Sequence, residues 1–405
     1  MGEPLGGTRE GAQRDSRADL LHSARASAWV GTMAGTASPE GIVLAHGLDG
    51  RPRATAALVP RQAREDAEQL LLSPGATKSL SAGARARPEP PDPLRTCFER
   101  DRDRILHSSA FRRLAGKTQV FVFPHDHQRT RLTHALEVAQ VATAVARATG
   151  LNVALTEAIA LGHDCGHGPG GHASEEAFTP FLPEGYNHAV WGADVVLTPL
   201  NLCAETLDGI RHHSWSLPSP ATPEGAVVSW ADRCAYCAHD LEDAASVGIV
   251  SLEDLPESVA GTVGRSRSSQ LGAFINALVD CIATTGEIGM RQPFAGALAA
   301  LREFNYERIY TRPTSIAQGQ AVIAVLSALV EFFEAGPARI PGFWPSGRPG
   351  GSLGLAGSEE DAAVRAAIAY VSGMTDRFAF SAAVELLGWE RERLPRGIDA
   401  SGRSF

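Results

Sequence analysis

The stretch THALEVAQVATAVARATGLNVALTEAIALGHD, residues 133–164, reads as two helices joined by Gly150-Leu151-Asn152 and ending on the pair His163-Asp164. In its first half His134, Val138, Val141 and Val145 fall at i, i+4, i+7 and i+11, so the histidine shares one helical stripe with three valines. Thr133 suits the start of that helix and Gly150 its end. So short a connection favours antiparallel packing, which brings a histidine at the start of one helix to the same end as the His-Asp pair closing the next. Outward from the hairpin, residues 97–120 with a helix stop at Gly116, and the stretches 227–247, 269–284, 317–334 and 359–387, are also helix-compatible. Alternating strand patterns are few and there is no internal repeat, so the predicted fold class is all-α.

The 405 residues suffice for a large core, and the formal charge of −9 argues against a protein dominated by nonspecific nucleic-acid binding. The balance reverses locally. Between Arg100 and Arg131 there are eight Lys/Arg against three Asp, a cluster suited to a polyanion or to a solvated helix face. Six cysteines without dense spacing point to a reduced, cytoplasmic protein, and Cys234 and Cys237, inside a helical segment with no second CxxC, read as helix packing. No apolar run approaches the roughly 18 residues a membrane span needs, and no signal-peptide pattern opens the chain. Residues 1–90, rich in Gly, Ala, Arg, Ser and Pro, read as a disordered extension closed by PEPPDP at 88–93. Residues 91–250 then hold the chemistry, 251–405 form a C-terminal helical region, and the Gly- and Pro-rich 335–358 is a loop.

Two imidazoles and two carboxylates leave open positions on an octahedral ion, which suits Mn, Fe, Co or Mg rather than a closed structural zinc. His134, His163 and Asp164 supply three such ligands. Asp232, in VVSWADRCAYCAHDLEDA, is chosen as the fourth, with Asp194 and Asp240 as alternatives on spacing alone. Next to the His-Asp pair stands GHGPGGHASEE, residues 166–176, where glycines let the backbone approach a ligand closely and His167, His172 and Glu175 are acid–base candidates. His188, which follows closely, is a further candidate, whereas His212 and His213 give weaker signals. No GxxxxGK phosphate loop and no GxSxG elbow occurs, which sets aside P-loop hydrolysis and serine catalysis.

Several longer strings take the reading further: RDRDRILHSSAFRRLAGKTQVF, RTRLTHALEVAQ, GHDCGHGPGGHASEEAF, LNLCAETLDGIRHH, ADRCAYCAHDLEDA and YVSGMTDRFA. In this order, over residues 95–387, the set resembles the HD-domain metal phosphohydrolases, and within them the deoxyguanosine triphosphate triphosphohydrolase-like branch. The resemblance implies an all-α HD-domain helical fold with an additional C-terminal helical region, and one divalent metal (Mn, Mg, Fe or Co) held by His134, His163, Asp164 and Asp232. It implies hydrolysis of deoxynucleoside triphosphates to deoxynucleoside and tripolyphosphate, with metal-held water attacking the α-phosphorus. Arg131, Arg233, Tyr236 and Asp240 match substrate-contacting positions, and His167, His172, Glu175 and His188 match active-site positions. A leaving sugar 5′-oxygen needs a proton, assigned to His172 or His188, while His167 with Glu175 is the expected base-and-orienter pair. The resemblance also points to a homo-oligomer and leaves room for a nucleotide effector, with no membrane partner and no indicated nucleic-acid partner. Hydrolysis of another nucleotide, a monophosphate or guanosine polyphosphate, and nucleotide binding with little turnover are the alternative functions. The family loop reads close to HPPFGHAGE where this chain has HGPGGHASE, so a more flexible loop lacking an aromatic contact is expected.

Overall fold

A computed structural model describes residues 24–47, 49, 50, 54, 56–341 and 359–397. Among these, sixteen α-helices and one small hairpin make up the regular structure apart from short 3₁₀ and π turns, in agreement with the all-α expectation. A first unit, up to Leu58, holds α1 (Ala24–Met33) and the antiparallel pair β1 (Thr36–Ala37) and β2 (Val43–Leu44). The second unit, from Val59, opens with α2 (Arg61–Leu71), α3 (Cys97–His107), α4 (Ser109–Arg113), α5 (Arg131–Thr149) and α6 (Val153–Gly162). It continues through α7 (Ala173–Phe178), α8 (His188–Trp191), α9 (Ala204–Arg211), α10 (Pro223–Ser246), α11 (Glu257–Val263) and α12 (Arg267–Thr285). Four more helices complete it: α13 (Phe294–Asn305), α14 (Pro313–Glu334), α15 (Glu359–Ser372) and α16 (Asp376–Leu387).

The α5–α6 hairpin forms as its sequence predicts. Gly150 closes α5 in the left-handed region at φ 68°, a conformation that costs a glycine little, and the Asn152 side chain caps α6 by accepting from the Leu155 N–H at 3.2 Å. Val138, Val141 and Val145 are wholly buried, each worth about 1.5–3 kcal/mol relative to exposure. The start of α5 differs from the expectation. It begins at Arg131 because the Thr133 hydroxyl reaches back to accept from the Thr130 N–H at 3.0 Å, which places Arg131 in the first helical turn. The helical stretch expected within 97–120 is likewise divided, at Ser108, whose hydroxyl accepts from the Phe111 N–H at 3.1 Å and starts a new helix.

Helix α10 packs on both hairpin helices and α3 packs on α6, giving a first core that includes Cys234 and Cys237, both fully buried as helix-packing residues. This core does not stop at residue 250. Val259, Phe274 and Leu301 are buried in it with Val138 and Leu161, so α11–α13 extend the same packing. A second core joins α14, α15 and α16 to Phe178 of α7 and to Trp191. By length and composition α14 is apolar enough to cross a membrane, which amends the expectation that no segment approaches that limit. Its Val322, Val325, Leu326, Leu329, Val330 and Phe333 face the second core, the burial expected of a core helix.

The expected disordered extension over 1–90 is corrected for its last third. Helix α2 and residues 73–87 are fixed to the core by polar contacts, which is why no apolar period announced them. Arg85 pairs with Asp101 at 2.6 Å, both buried. The Glu224 carboxylate accepts from the Thr77 N–H, the Thr77 hydroxyl and the Asn152 N–H at 3.1, 2.7 and 2.9 Å. Residues 1–23 of that extension, and residues 342–358 of the expected loop 335–358, lie outside the described residues. Glu224→Ala strands these donors in a buried setting, so urea denaturation is expected to show a loss of about 1–3 kcal/mol; a change within experimental error would remove Glu224 as the anchor.

Candidate metal and phosphate site

The hairpin delivers His134 from the first turn of α5 and His163-Asp164 from the end of α6 to one place, and α10 brings Asp232. His134 Nε2 lies 3.0 Å from Asp232 Oδ1, and His163 Nε2 lies 3.6 Å from the same oxygen and 3.5 Å from Asp164 Oδ1. His134 Nε2 is 4.0 Å from Asp164 Oδ2. Neighbouring ligands bonded to one ion at ~2.0–2.2 Å with angles of ~90–110° stand ~2.8–3.6 Å apart. The three shorter separations therefore fit neighbouring ligands of a shared metal, while the 4.0 Å pair needs a wider angle. His134, His163 and Asp164 form one close group, and Asp232 joins His163 and His213 in another. The tautomer fits as well. His163 Nδ1 donates to the Ala160 carbonyl at 2.7 Å, so the buried Nε2, without a hydrogen-bond partner, is the nitrogen available to a metal. Burial opposes a charge on His163, yet Asp164 and Asp232 outweigh it and push its pKa up to about 9, a sign of how strongly the two carboxylates call for a cation. Of the alternatives by spacing, Asp194 pairs with Arg211 at the surface, and Asp240 sits two turns further along α10, bonded to Tyr310.

Arg131 pairs with Asp164 at 2.7 Å, both nearly sealed from solvent, while its Nε and Nη2 are buried without a protein partner. Burial would raise the Asp164 pKa, but Arg131, then His163 and His167, hold it well below the carboxylate range. The arginine therefore fixes a ligand with one nitrogen and presents two unpaired donors, the pattern that an oxyanion completes.

The glycine loop is tightly built, which corrects the expected flexibility. Residues 162–171 are all buried, and the Gly168 N–H donates to Ser174 Oγ at 3.0 Å. A Cβ on Gly166 would stand 2.0 Å from the His188 carbonyl oxygen, and one on Gly170, at φ 72°, would stand 2.4 Å from Val322. Small size here permits contact rather than motion, and α14 fills the room an aromatic would need.

Among the histidines, the expected His167–Glu175 pair does not form. Spacing of three residues puts His172 and Glu175 on one face of α7, so Glu175 accepts from His172 Nδ1 at 3.0 Å and, on its other oxygen, from His188 Nδ1 at 2.7 Å. Burial raises the Glu175 pKa, but the hydrogen bonds from both histidines hold it well below the usual range. His167 stacks on His188 at 3.7 Å between ring centroids and points Nε2 to Asp164 Oδ1 at 3.2 Å; burial, then Arg131, pushes its pKa well down. His172 is 72% exposed and lines the cavity, whereas His188 is buried. His213, a weak signal in sequence, belongs to the cluster: its Nε2 is 3.1 Å from His188 Nε2 and its Nδ1 meets the Ile210 carbonyl at 2.8 Å. The readable sign was an arrangement shared with His163, a histidine following a helix and bonded to the carbonyl three residues back.

A cavity of about 740 Å³ opens onto this cluster, and Arg131, Arg233, Tyr236 and Asp240 all line it. Arg233 stacks on Trp215 at 3.5 Å, and Arg302 donates to the Tyr236 hydroxyl at 3.0 Å. Burial pushes the Asp240 pKa up to about 8 against the hydrogen bond from Tyr310. The basic cluster over 100–131 does not form one polyanion surface, since Arg100 and Arg104 bind Glu89 and Arg129 binds Glu137 and Asp243. Arg131 joins instead with Arg233, Arg302 and Arg312 from distant segments, and the last two carried no local motif. For the metal cluster, His163→Ala is expected to abolish retention of a divalent ion through gel filtration while circular dichroism stays helical; undiminished metal content would exclude His163 as a ligand.

The HD domain family matches residues 131–237, which contain the four clustered side chains, and the phosphohydrolase-associated domain matches 288–384. A deoxyguanosinetriphosphate triphosphohydrolase-like protein of Caldanaerobacter subterraneus subsp. tengcongensis is 39% identical over 326 residues, covering 79% of this chain and 93% of that one. Proteins of the same description from Clostridium tetani and Clostridium perfringens are 35% and 36% identical, each alignment covering 78% of this chain and 93% and 94% of theirs. Helical fold and sequence thus agree, and the chain belongs to the deoxyguanosinetriphosphate triphosphohydrolase-like family of HD-domain proteins.

Proposed function

We propose that the protein hydrolyses deoxynucleoside triphosphates to deoxynucleoside and tripolyphosphate, using one divalent ion held by His134, His163, Asp164 and Asp232. The observation that carries this reading is the cavity lining, where His134, Asp164 and Asp232 stand with Arg131, whose buried Nε and Nη2 lack a protein partner. A bound Mn, Mg, Fe or Co ion supplies Lewis acidity and a lowered pKa for water.

The chain's own groups divide the remaining work. Arg131 holds Asp164 in place and offers Nε and Nη2 to phosphoryl oxygens, so charge developing on the α-phosphoryl group meets donors already positioned. Arg233, braced on Trp215, and Arg302, braced on Tyr236, suit the rest of the triphosphate. Tyr236 and Asp240 stand further along α10 as contacts for the nucleoside. Departure of the 5′-oxygen as an alkoxide is unfavourable. His172 and His188 both line the cavity and both are held by Glu175, and the proton is assigned to His172 because its ring is the more exposed of the two. His188 takes the other Glu175 oxygen and stacks on His167. Six free thiols fit the cytoplasm, and nucleotide control of a homo-oligomer belongs to the same reading.

Metal-loaded protein given each of the four common deoxynucleoside triphosphates should release tripolyphosphate, separable by ion exchange. Pyrophosphate or orthophosphate as the first product would favour another nucleotide hydrolase, and binding without product would favour a nucleotide-binding protein. His172→Ala should lower kcat about 10²- to 10⁴-fold with metal content unchanged; full turnover would transfer the proton-donor role to another residue.

A further inference from the structure

The YVSGMTDRFA string, like RDRDRILHSSAFRRLAGKTQVF, is a motif that the chemistry above leaves unused. Its aspartate, Asp376, is the first residue of α16 and is 4% exposed, although it lies 206 and 258 positions from the residues it binds. Oδ1 accepts from the Gly170 N–H at 2.8 Å, and Oδ2 accepts from the Thr118 N–H at 3.0 Å and the Thr118 hydroxyl at 2.5 Å. Beside it, the buried Lys117 Nζ donates to the Ser372 carbonyl at 2.9 Å and to the His167 carbonyl at 2.5 Å. The Lys117 carbonyl in turn accepts from the Arg131 N–H at 3.2 Å, and Thr118 bridges Thr130.

These bonds share one hub. Residues 117–118 touch the start of α5, which carries Arg131 and His134; Lys117 grips His167; and Asp376 ties the hub to Gly170 in the same loop. The spacing between Arg131 and the histidine loop is therefore set through a carboxylate supplied by the C-terminal region. A solvated staple would not be buried, and a simple core contact would be apolar. A carboxylate whose two oxygens bind two separate active-site segments is a device for fixing their separation.

We propose that Asp376 is a positioning residue that sets the loop His167–Gly171 against Arg131, so that the phosphohydrolase-associated region controls alignment of the catalytic groups; this rests on the hydrolytic reading above. An isosteric Asp376→Asn change leaves one oxygen for two segments and turns an amide N–H toward a backbone N–H. In the metal-loaded full-length chain, kcat should then fall between about ten- and a hundredfold, with KM and metal content near wild type. Hydrogen exchange of peptides covering 166–172 should accelerate, while peptides of α5 beyond its first turn keep their protection. Thr118→Ser, which keeps the hydroxyl, should behave as wild type, and Thr118→Val should shift loop exchange and kcat the same way as Asp376→Asn but less. Unchanged loop exchange in Asp376→Asn, a kcat within twofold of wild type, or acceleration spread evenly over the chain would overturn the proposal. If Asp376→Asn does not fold, Thr118→Val decides by the same readouts. A wild-type protein without any turnover would count against the function alone, because loop exchange still tests the brace.

Discussion

Two carboxylates, Asp164 and Asp232, are brought within reach of the same imidazoles at the end of a helical hairpin. Sequestering negative charge in a protein interior costs several kcal/mol per group unless positive charge meets it. Much of the surrounding structure answers that demand. Arg131 pairs with Asp164, His163 is driven toward its charged form, and His134 turns Nε2 to Asp232. A divalent ion answers the same demand more fully and puts the imidazole lone pairs to use. The electrostatics that threaten the fold's stability are thus the ones that suit it to hold a metal and to receive a polyanion.

The helices have little freedom in how they meet this constraint. The Gly150–Asn152 connection fixes which ends of α5 and α6 coincide, and the valine stripe fixes which way His134 faces. Helix α10 adds Asp232, Arg233, Tyr236 and Asp240 within about two turns, so one helix spans the distance from metal cluster to the far part of the cavity. The loop after Asp164 then packs so closely on α8 and α14 that only glycines fit at Gly166 and Gly170. Rigidity in the loop places His167 and leaves His172 facing open space.

The hairpin, its registration and the grouping of His134 with His163-Asp164 were legible because helix periodicity and a short connection are local signals. Asp232 was not separable from Asp194 and Asp240 by spacing, since all three sit in helical segments; only the tertiary approach of α10 distinguishes it. Glu175 was legible as a histidine partner, but which histidine it holds depends on where α8 returns, a non-local fact. The same limit hid Arg302 and Arg312, which reach the cavity from segments without a motif, and residues 61–90, whose anchors are hydrogen bonds to Glu224 and Asn201 rather than an apolar stripe. Glycines in a sequence suggest freedom, whereas the packing of Phe178, Ser174 and Val322 around these makes them close contacts.

The proposed reaction sends water to the α-phosphorus of a nucleoside triphosphate and expels the sugar 5′-oxygen. Hydrolysis in ¹⁸O-enriched water, with mass spectrometry of both products, tests it directly. Attack at the α-phosphorus puts the label in tripolyphosphate and none in the deoxynucleoside. Label in the deoxynucleoside 5′-hydroxyl, or in a nucleoside monophosphate released with pyrophosphate, would contradict it.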